Sequence, residues 1–285
     1  MLSTDKPLPK ILYLVGVITI FLSVYSQYFI ELGQVGGFLV VYGLPIVIVS
    51  LFFGKELLKR AGKNNKTAIK FGMGLFGALS LIGILLSIVV IALLLFFEPQ
   101  TLDLLNRPNP VLDISPNLAW LMIGISFLVV GPAEEYLFRG FMYGGLLNIT
   151  KGRHWLSLAV VSSLLFAFVH AYYAITYGIA SIVAFITLTG FAFAMAVTYY
   201  WSDGNILIPA IIHGLYDATG FLGVALSDDT ISVIARGILI SAGLVFAVLY
   251  LPQKIRLSRT RKFSNPYEPS SEIPTETQLP PPPTN

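Results

Sequence analysis

Residues 70–97 read KFGMGLFGALSLIGILLSIVVIALLLFF, and after Lys70 no charged side chain appears before Glu98. A helix crossing the hydrocarbon core of a bilayer needs about 20 apolar residues, and at 1.5 Å per residue this run spans roughly 40 Å as a helix. Transmembrane β-barrel strands alternate and are about 10 residues long. A continuous run of this length therefore predicts a helix.

Seven more such stretches flank it. Together the eight predicted spans run roughly 10–31, 36–54, 70–97, 117–149, 155–175, 178–200, 205–226 and 231–251. The fourth is too long for one simple span, and Gly131-Pro132 inside it predicts a kink or break. The first is too long for the apolar core of a signal peptide and lacks a small-residue cleavage site. The fold expected is all-α: a polytopic membrane bundle of about eight helices occupying residues 1–252, followed by a basic flank and a disordered tail over 253–285. From Phe263 on, that tail is rich in Pro, Ser, Thr and Glu and ends in four prolines before Thr284-Asn285, a composition unable to bury a core.

Composition agrees. The 285 residues are 55% hydrophobic and 12% charged, half the charge of an ordinary soluble domain. There is no cysteine, which removes disulfides and thiol chemistry, and only His154, His170 and His213 supply imidazole. With the N-terminus placed inside and eight spans alternating, fifteen of the 18 cations fall in inside segments, among them Lys55, Lys59, Arg60, Lys63 and the run Lys254–Lys262. That bias predicts an integral membrane protein with both termini cytoplasmic, its membrane being the plasma membrane if the source is a prokaryote.

Ionisable groups inside spans cost about 2.5–3.5 kcal/mol each on insertion scales, so they pair or face a wet cavity. The fourth span carries Glu134, Glu135 and Arg139, the fifth His170, the seventh His213 and Asp217, and the eighth Arg236. Glu135 and Arg139 sit four residues apart on one helical face and can pair; Glu134 points about 100° away. His213 and Asp217 share the same spacing, as do Phe166 and His170. Counted from the loop at 150–155, Glu134 and His170 lie roughly 22–24 Å along their helices, and Asp217 lies about 20 Å from the loop at 201–204. Three helices thus deliver acid and imidazole to one depth, which predicts a single site. Arg236, near the outer end of its span, can snorkel and receives no role; His154 is expected to be solvated.

The three motifs, Glu134-Glu135-Tyr-Leu-Phe-Arg139 (EExxxR), Phe166-Ala-Phe-Val-His170 (FxxxH) and His213-Gly-Leu-Tyr-Asp217 (HxxxN/D), occur in order on separate spans. The set resembles the CPBP family of intramembrane proteases, which includes the type II CAAX prenyl endopeptidases and the abortive-infection or bacteriocin-immunity proteins. The resemblance covers roughly 117–226 and implies an eight-helix bundle enclosing a site. It implies that Glu134 and His170 activate a water and that His213 and position 217 line an oxyanion hole, with Glu135, Arg139 and Phe166 in support. The prenyl endopeptidases generally carry Asn where this chain has Asp217. An ionised aspartate only accepts hydrogen bonds, so it would donate if protonated, or else hold His213 as an imidazolium.

The function expected is hydrolysis of a peptide bond by activated water, with prenylated or other membrane-associated peptides as substrates. Serine and cysteine catalysis are disfavoured by the missing cysteine and missing GxSxG elbow. No cofactor is favoured. A metalloendopeptidase-like site, with zinc on Glu134, His170 and His213, is the alternative, although HExxH is absent. Rival classes are a non-catalytic immunity or scaffold protein and a proton-coupled transporter, the latter weakened by the absence of an internal repeat. The partners expected are the lipid bilayer and a membrane-associated peptide or protein, with no nucleic acid.

Overall fold

The computed structural model describes residues 10–26, 29–30, 33–60, 62, 64–105, 107, 109 and 111–260, with backbone only at 33–35, 52–53, 55–60 and 254–260. The predicted tail over 263–285 lies outside the described residues. Among the described residues every regular element is helical, and the chain is an all-α polytopic bundle. We label its eight principal helices α1 (Lys10–Ser26), α2 (Gly33–Phe38, a π-helical turn Leu39–Gly43, then Leu44–Arg60), α3 (Asn65–Phe97), α4 (Pro116–Ile149), α5 (Trp155–Val169), α6 (Ser181–Trp201), α7 (Leu207–Leu226) and α8 (Asp229–Thr260).

Among the described residues five helical stretches are long and apolar enough to cross a membrane: Asn65–Phe97, Pro116–Ile149, Tyr173–Trp201, Leu207–Leu226 and Asp229–Gln253. The other three predicted spans are shorter apolar helices, Lys10–Ser26, Gly36–Leu51 and Trp155–Val169. The outer faces of α3 and α8 expose Leu85, Ile88, Val89, Val233, Ile238 and Val248. A soluble monomer rarely exposes so continuous an apolar surface. In lipid that surface needs no cover, and the chain is an integral membrane protein.

The bundle departs from the predicted spans in three places. Gly131-Pro132 does not break α4, which runs on through two π-helical stretches, Ser126–Val130 and Tyr136–Tyr143. Pro132 has no N–H to give, and the widened turn just before it closes with Gly131 N–H donating to the Ser126 carbonyl. The second departure is α5, which stops at Val169 and not at 175. Here the His170 backbone N–H turns back to Ala167, and the freed Phe166 carbonyl takes the His170 imidazole Nδ1 at 2.9 Å. A side chain thus satisfies a carbonyl orphaned at the helix end. Third, α8 runs through Pro252 to Thr260, so the helix continues into the basic flank.

Small residues set the crossings. A Cβ at Gly131 would lie 2.6 Å from the Gly214 nitrogen, and one at Gly214 would lie 2.7 Å from the Phe127 Cα. Only glycine permits α4 and α7 to meet backbone to backbone there. Gly77 and Gly243 make the same kind of contact between α3 and α8. The α4–α7 crossing fixes the site, because Gly131 is one turn from Glu134 and Gly214 adjoins His213. The core around it is built from buried Phe76, Leu137, Phe138, Phe166, Met195 and Ile212. The Tyr13 hydroxyl donates to the Met142 carbonyl at 2.8 Å and ties α1 to α4; Ser50 and Tyr136 hydroxyls, also at 2.8 Å, tie α2 to α4.

Candidate active site

Glu134, Glu135 and Arg139 on α4, His170 at the end of α5, and His213 and Asp217 on α7 converge as their spacing predicts. His213 Nε2 lies 3.6 Å from Glu134 Oε2 and 3.5 Å from Asp217 Oδ2, and His170 Nε2 lies 4.0 Å from the same Glu134 oxygen. Glu134, Glu135, Arg139 and His213 are all buried. The predicted ion pair is present, with Arg139 Nη1 2.8 Å from Glu135 Oε1.

Glu135 does more than hold Arg139. His213 Nδ1 is 2.8 Å from the same Glu135 Oε1. The Nδ1–H of His213 thus goes to Glu135, and Asp217 stands 3.5 Å from the opposite ring nitrogen. Glu135 Oε2 and both Nη atoms of Arg139 have no hydrogen-bond partner among the described residues, so the pair is held by charge at short range and not by aligned hydrogen bonds. The guanidinium also lies 4.5 Å from the centroid of the Phe166 ring, a cation–π contact. Phe166 in turn touches His170 at 4.7 Å and His213 at 5.9 Å between ring centroids. One phenyl ring thus braces the guanidinium and both imidazoles.

The ring nitrogens have defined partners. A backbone carbonyl only accepts, so His170 Nδ1 carries a proton toward Phe166 and, in the neutral ring, Nε2 presents its lone pair toward Glu134. The carboxylate of Glu135 likewise takes the Nδ1–H of His213. That leaves His213 Nε2 facing two carboxyl groups, Glu134 and Asp217.

Tyr42 is a site residue that the sequence reading missed. It sits in the π-helical turn of α2 and donates from its hydroxyl to Glu134 Oε1 at 2.9 Å, leaving Oε2 to face the two histidines. Tyr42, Glu134 and His170 share the wall of a cavity of about 670 Å³ whose remaining lining is largely apolar, with Phe38, Val41, Met122, Leu137 and Phe138 prominent. Two remaining ionisable groups differ in fate. His154 is exposed at the start of α5 as expected. Arg236 does not snorkel outward; its Nε donates to the Thr219 hydroxyl at 3.3 Å, and its guanidinium packs 4.8 Å from the Tyr216 ring.

Among the described residues no three His, Asp or Glu side chains form a group that could hold a metal ion. The metalloendopeptidase-like reading, with zinc on Glu134, His170 and His213, thus finds no support.

Residues 116–219 match the family described as Rce1-like, type II CAAX prenyl endopeptidase Rce1-like. It is the family the motifs resemble. The matched segment contains all three motifs, and at family level it speaks for a CAAX-type intramembrane protease. Neither Tyr42 nor Arg236 lies within the Rce1-like segment. No curated protein and no solved structure matches the chain.

Proposed function

We propose that the protein is an intramembrane endopeptidase that hydrolyses a peptide bond with a water activated by Glu134 and His170. The supporting observation is the 4.0 Å gap between Glu134 Oε2 and His170 Nε2. It is too long for a direct hydrogen bond, and a separation of this kind between two polar groups suits one bridging water. Both groups accept, so both water protons are held and an oxygen lone pair is left to attack.

The steps follow from that geometry. Water oxygen adds to the scissile carbonyl carbon while Glu134 takes a proton as general base. The carbonyl oxygen becomes an oxyanion and meets His213, which donates from Nε2 while Glu135 holds its Nδ1–H. Asp217, on the same side of the ring as Glu134, keeps that donor charged and oriented. Glu134 then returns its proton to the leaving amine as the C–N bond breaks. Preorganised donors of this kind typically contribute 10²–10³ in rate per donor.

The substrate we propose is a membrane-associated peptide, prenylated or otherwise apolar, because the cavity that reaches Glu134 and His170 is lined mostly by aliphatic and aromatic side chains. The test is cleavage of a quenched farnesylated peptide and of its unprenylated form by purified protein in detergent, with products identified by mass spectrometry. A single internal cleavage by wild type and none by Glu134→Gln supports the reading. Equal cleavage by both proteins removes it.

A further inference from the structure

We propose that Arg236 marks a binding site for an anionic phospholipid, in a second cavity separate from the candidate active site. This cavity holds about 350 Å³ and lies between α3, α6, α7 and α8. Its wall is Leu79, Ile84 and Ile88 of α3, Val183 of α6 and Ile240 of α8, interrupted by the hydroxyls of Ser87 and Thr187 and by Arg236.

Arg236 has an unusual position for a cation. It is seven residues into α8, about 10 Å from the helix start. A charge at such depth is costly unless it finds an anion. Among the described residues no carboxylate lies within ion-pair distance of it, although its charge reaches Asp217, which follows Tyr216 on α7. Its contacts there are the Thr219 hydroxyl, through Nε, and the face of Tyr216. Those contacts leave the terminal amino groups of the guanidinium, the fork that takes phosphate with two parallel hydrogen bonds.

The other polar groups share its level. Thr187 is six residues into α6, Ser87 ten residues before the end of α3, and Tyr216 ten before the end of α7, so all lie roughly 9–15 Å from one end of the bundle. The cavity therefore occupies one leaflet. It opens at Ile84 and Ile88, which are exposed on the apolar outer face. A lipid drawn in there places its phosphate on Arg236 and one acyl chain along the aliphatic wall. Free phosphate lacks the chain that would bury this wall, and the phosphate of a zwitterionic lipid such as phosphatidylcholine is already balanced by its own ammonium group.

The innermost wall is Phe191 and Tyr216, which stack at 5.4 Å between centroids, and Phe191 contacts the His213 ring at 4.9 Å. An occupant thus rests one ring, Phe191, from the His213 imidazole. The binding claim itself does not depend on the peptidase reading.

The experiment is native mass spectrometry of full-length protein released from nanodiscs of phosphatidylcholine containing a minor fraction of phosphatidylglycerol, with parallel samples given oleate or inorganic phosphate. Wild type should retain one phosphatidylglycerol above the neutral-lipid background. Arg236→Gln should weaken that retention about five-fold, the scale of one cation at a membrane surface, and Arg236→Lys should restore part of it. Gly83→Leu provides a second variant that leaves the charge intact. A Cβ at Gly83 meets nothing closer than the Thr187 Cα at 4.0 Å, and Gly83 lines the cavity, so a leucine there extends into the space the lipid would take. It should lower retention as well. Equal retention by wild type and Arg236→Gln overturns the proposal. So does full retention by Gly83→Leu, which would place the lipid outside the cavity. Arg236-dependent binding of oleate or phosphate without phosphatidylglycerol also overturns it.

Discussion

His213 Nδ1 lies 2.8 Å from Glu135 Oε1. The bond joins α7 to α4 across the crossing that Gly131 and Gly214 allow, and the same carboxylate oxygen pairs with Arg139. The first carboxylate of Glu134-Glu135 thus faces the reacting space, while the second builds the scaffold that orients an imidazole.

Loss of Arg139 leaves the Glu135 charge buried with only His213 to answer it. Removing one partner of a buried pair costs roughly 3–5 kcal/mol. Arg139→Ala should lower both folded yield and thermal stability in detergent, whereas Glu134→Gln should leave both near wild type. Size-exclusion chromatography and a thermal-shift assay check this. Wild-type yield and stability for Arg139→Ala would sink the scaffold role.

Tyr42 supplies the hydrogen bond that leaves Glu134 Oε2 toward His170 and His213. A hydrogen bond to a charged group is worth about 1.5–3 kcal/mol, so Tyr42→Phe should slow cleavage roughly 10- to 100-fold with little change in folded yield. An unchanged rate would mean that Glu134 keeps its orientation without the phenol.

Asp217 approaches His213 Nε2 at 3.5 Å, on the side where an oxyanion would sit. Asp217→Asn exchanges a charge partner for a direct donor and should keep substantial activity. Asp217→Ala has neither and should lose about 10²–10³ in rate. Rates on the quenched peptide decide it, and wild-type activity in Asp217→Ala would put residue 217 outside the chemistry.

The uneven distribution of Lys and Arg expects residues 105 and 260 on opposite sides of the membrane. Reporter fusions at those two positions check the orientation. The same side for both would overturn the alternating eight-span arrangement.

Hydropathy and helical spacing made the bundle, the Glu135–Arg139 pair and the convergence of Glu134, His170, His213 and Asp217 legible, because each depends on sequence-local periodicity plus a count of depth. Three features were not legible. The Glu135–His213 bond depends on how closely two helices cross; Gly131 and Gly214 signal a close approach, but spacing alone does not say which carboxylate it favours. Tyr42 is one of 14 tyrosines, and its aim comes from a π-helical turn that no periodicity reveals. The stop of α5 at Val169 follows from the His170 side chain capturing a carbonyl, and apolar Ala171, Tyr172 and Tyr173 beyond it disguise that end.

The central claim is that Glu134 and His170 together activate the attacking water. The measurement is the cleavage rate of purified wild type, Glu134→Gln, His170→Ala and the double variant on the quenched farnesylated peptide, with folding confirmed for each. General acid–base groups contribute typically 10²–10⁴. The account expects each single variant to lose at least about 10²-fold, with the double variant scarcely worse than the more damaged single one, because both act on one water. A Glu134→Gln protein that cleaves within two-fold of wild type, or losses in the two single variants that simply multiply in the double variant, would contradict it.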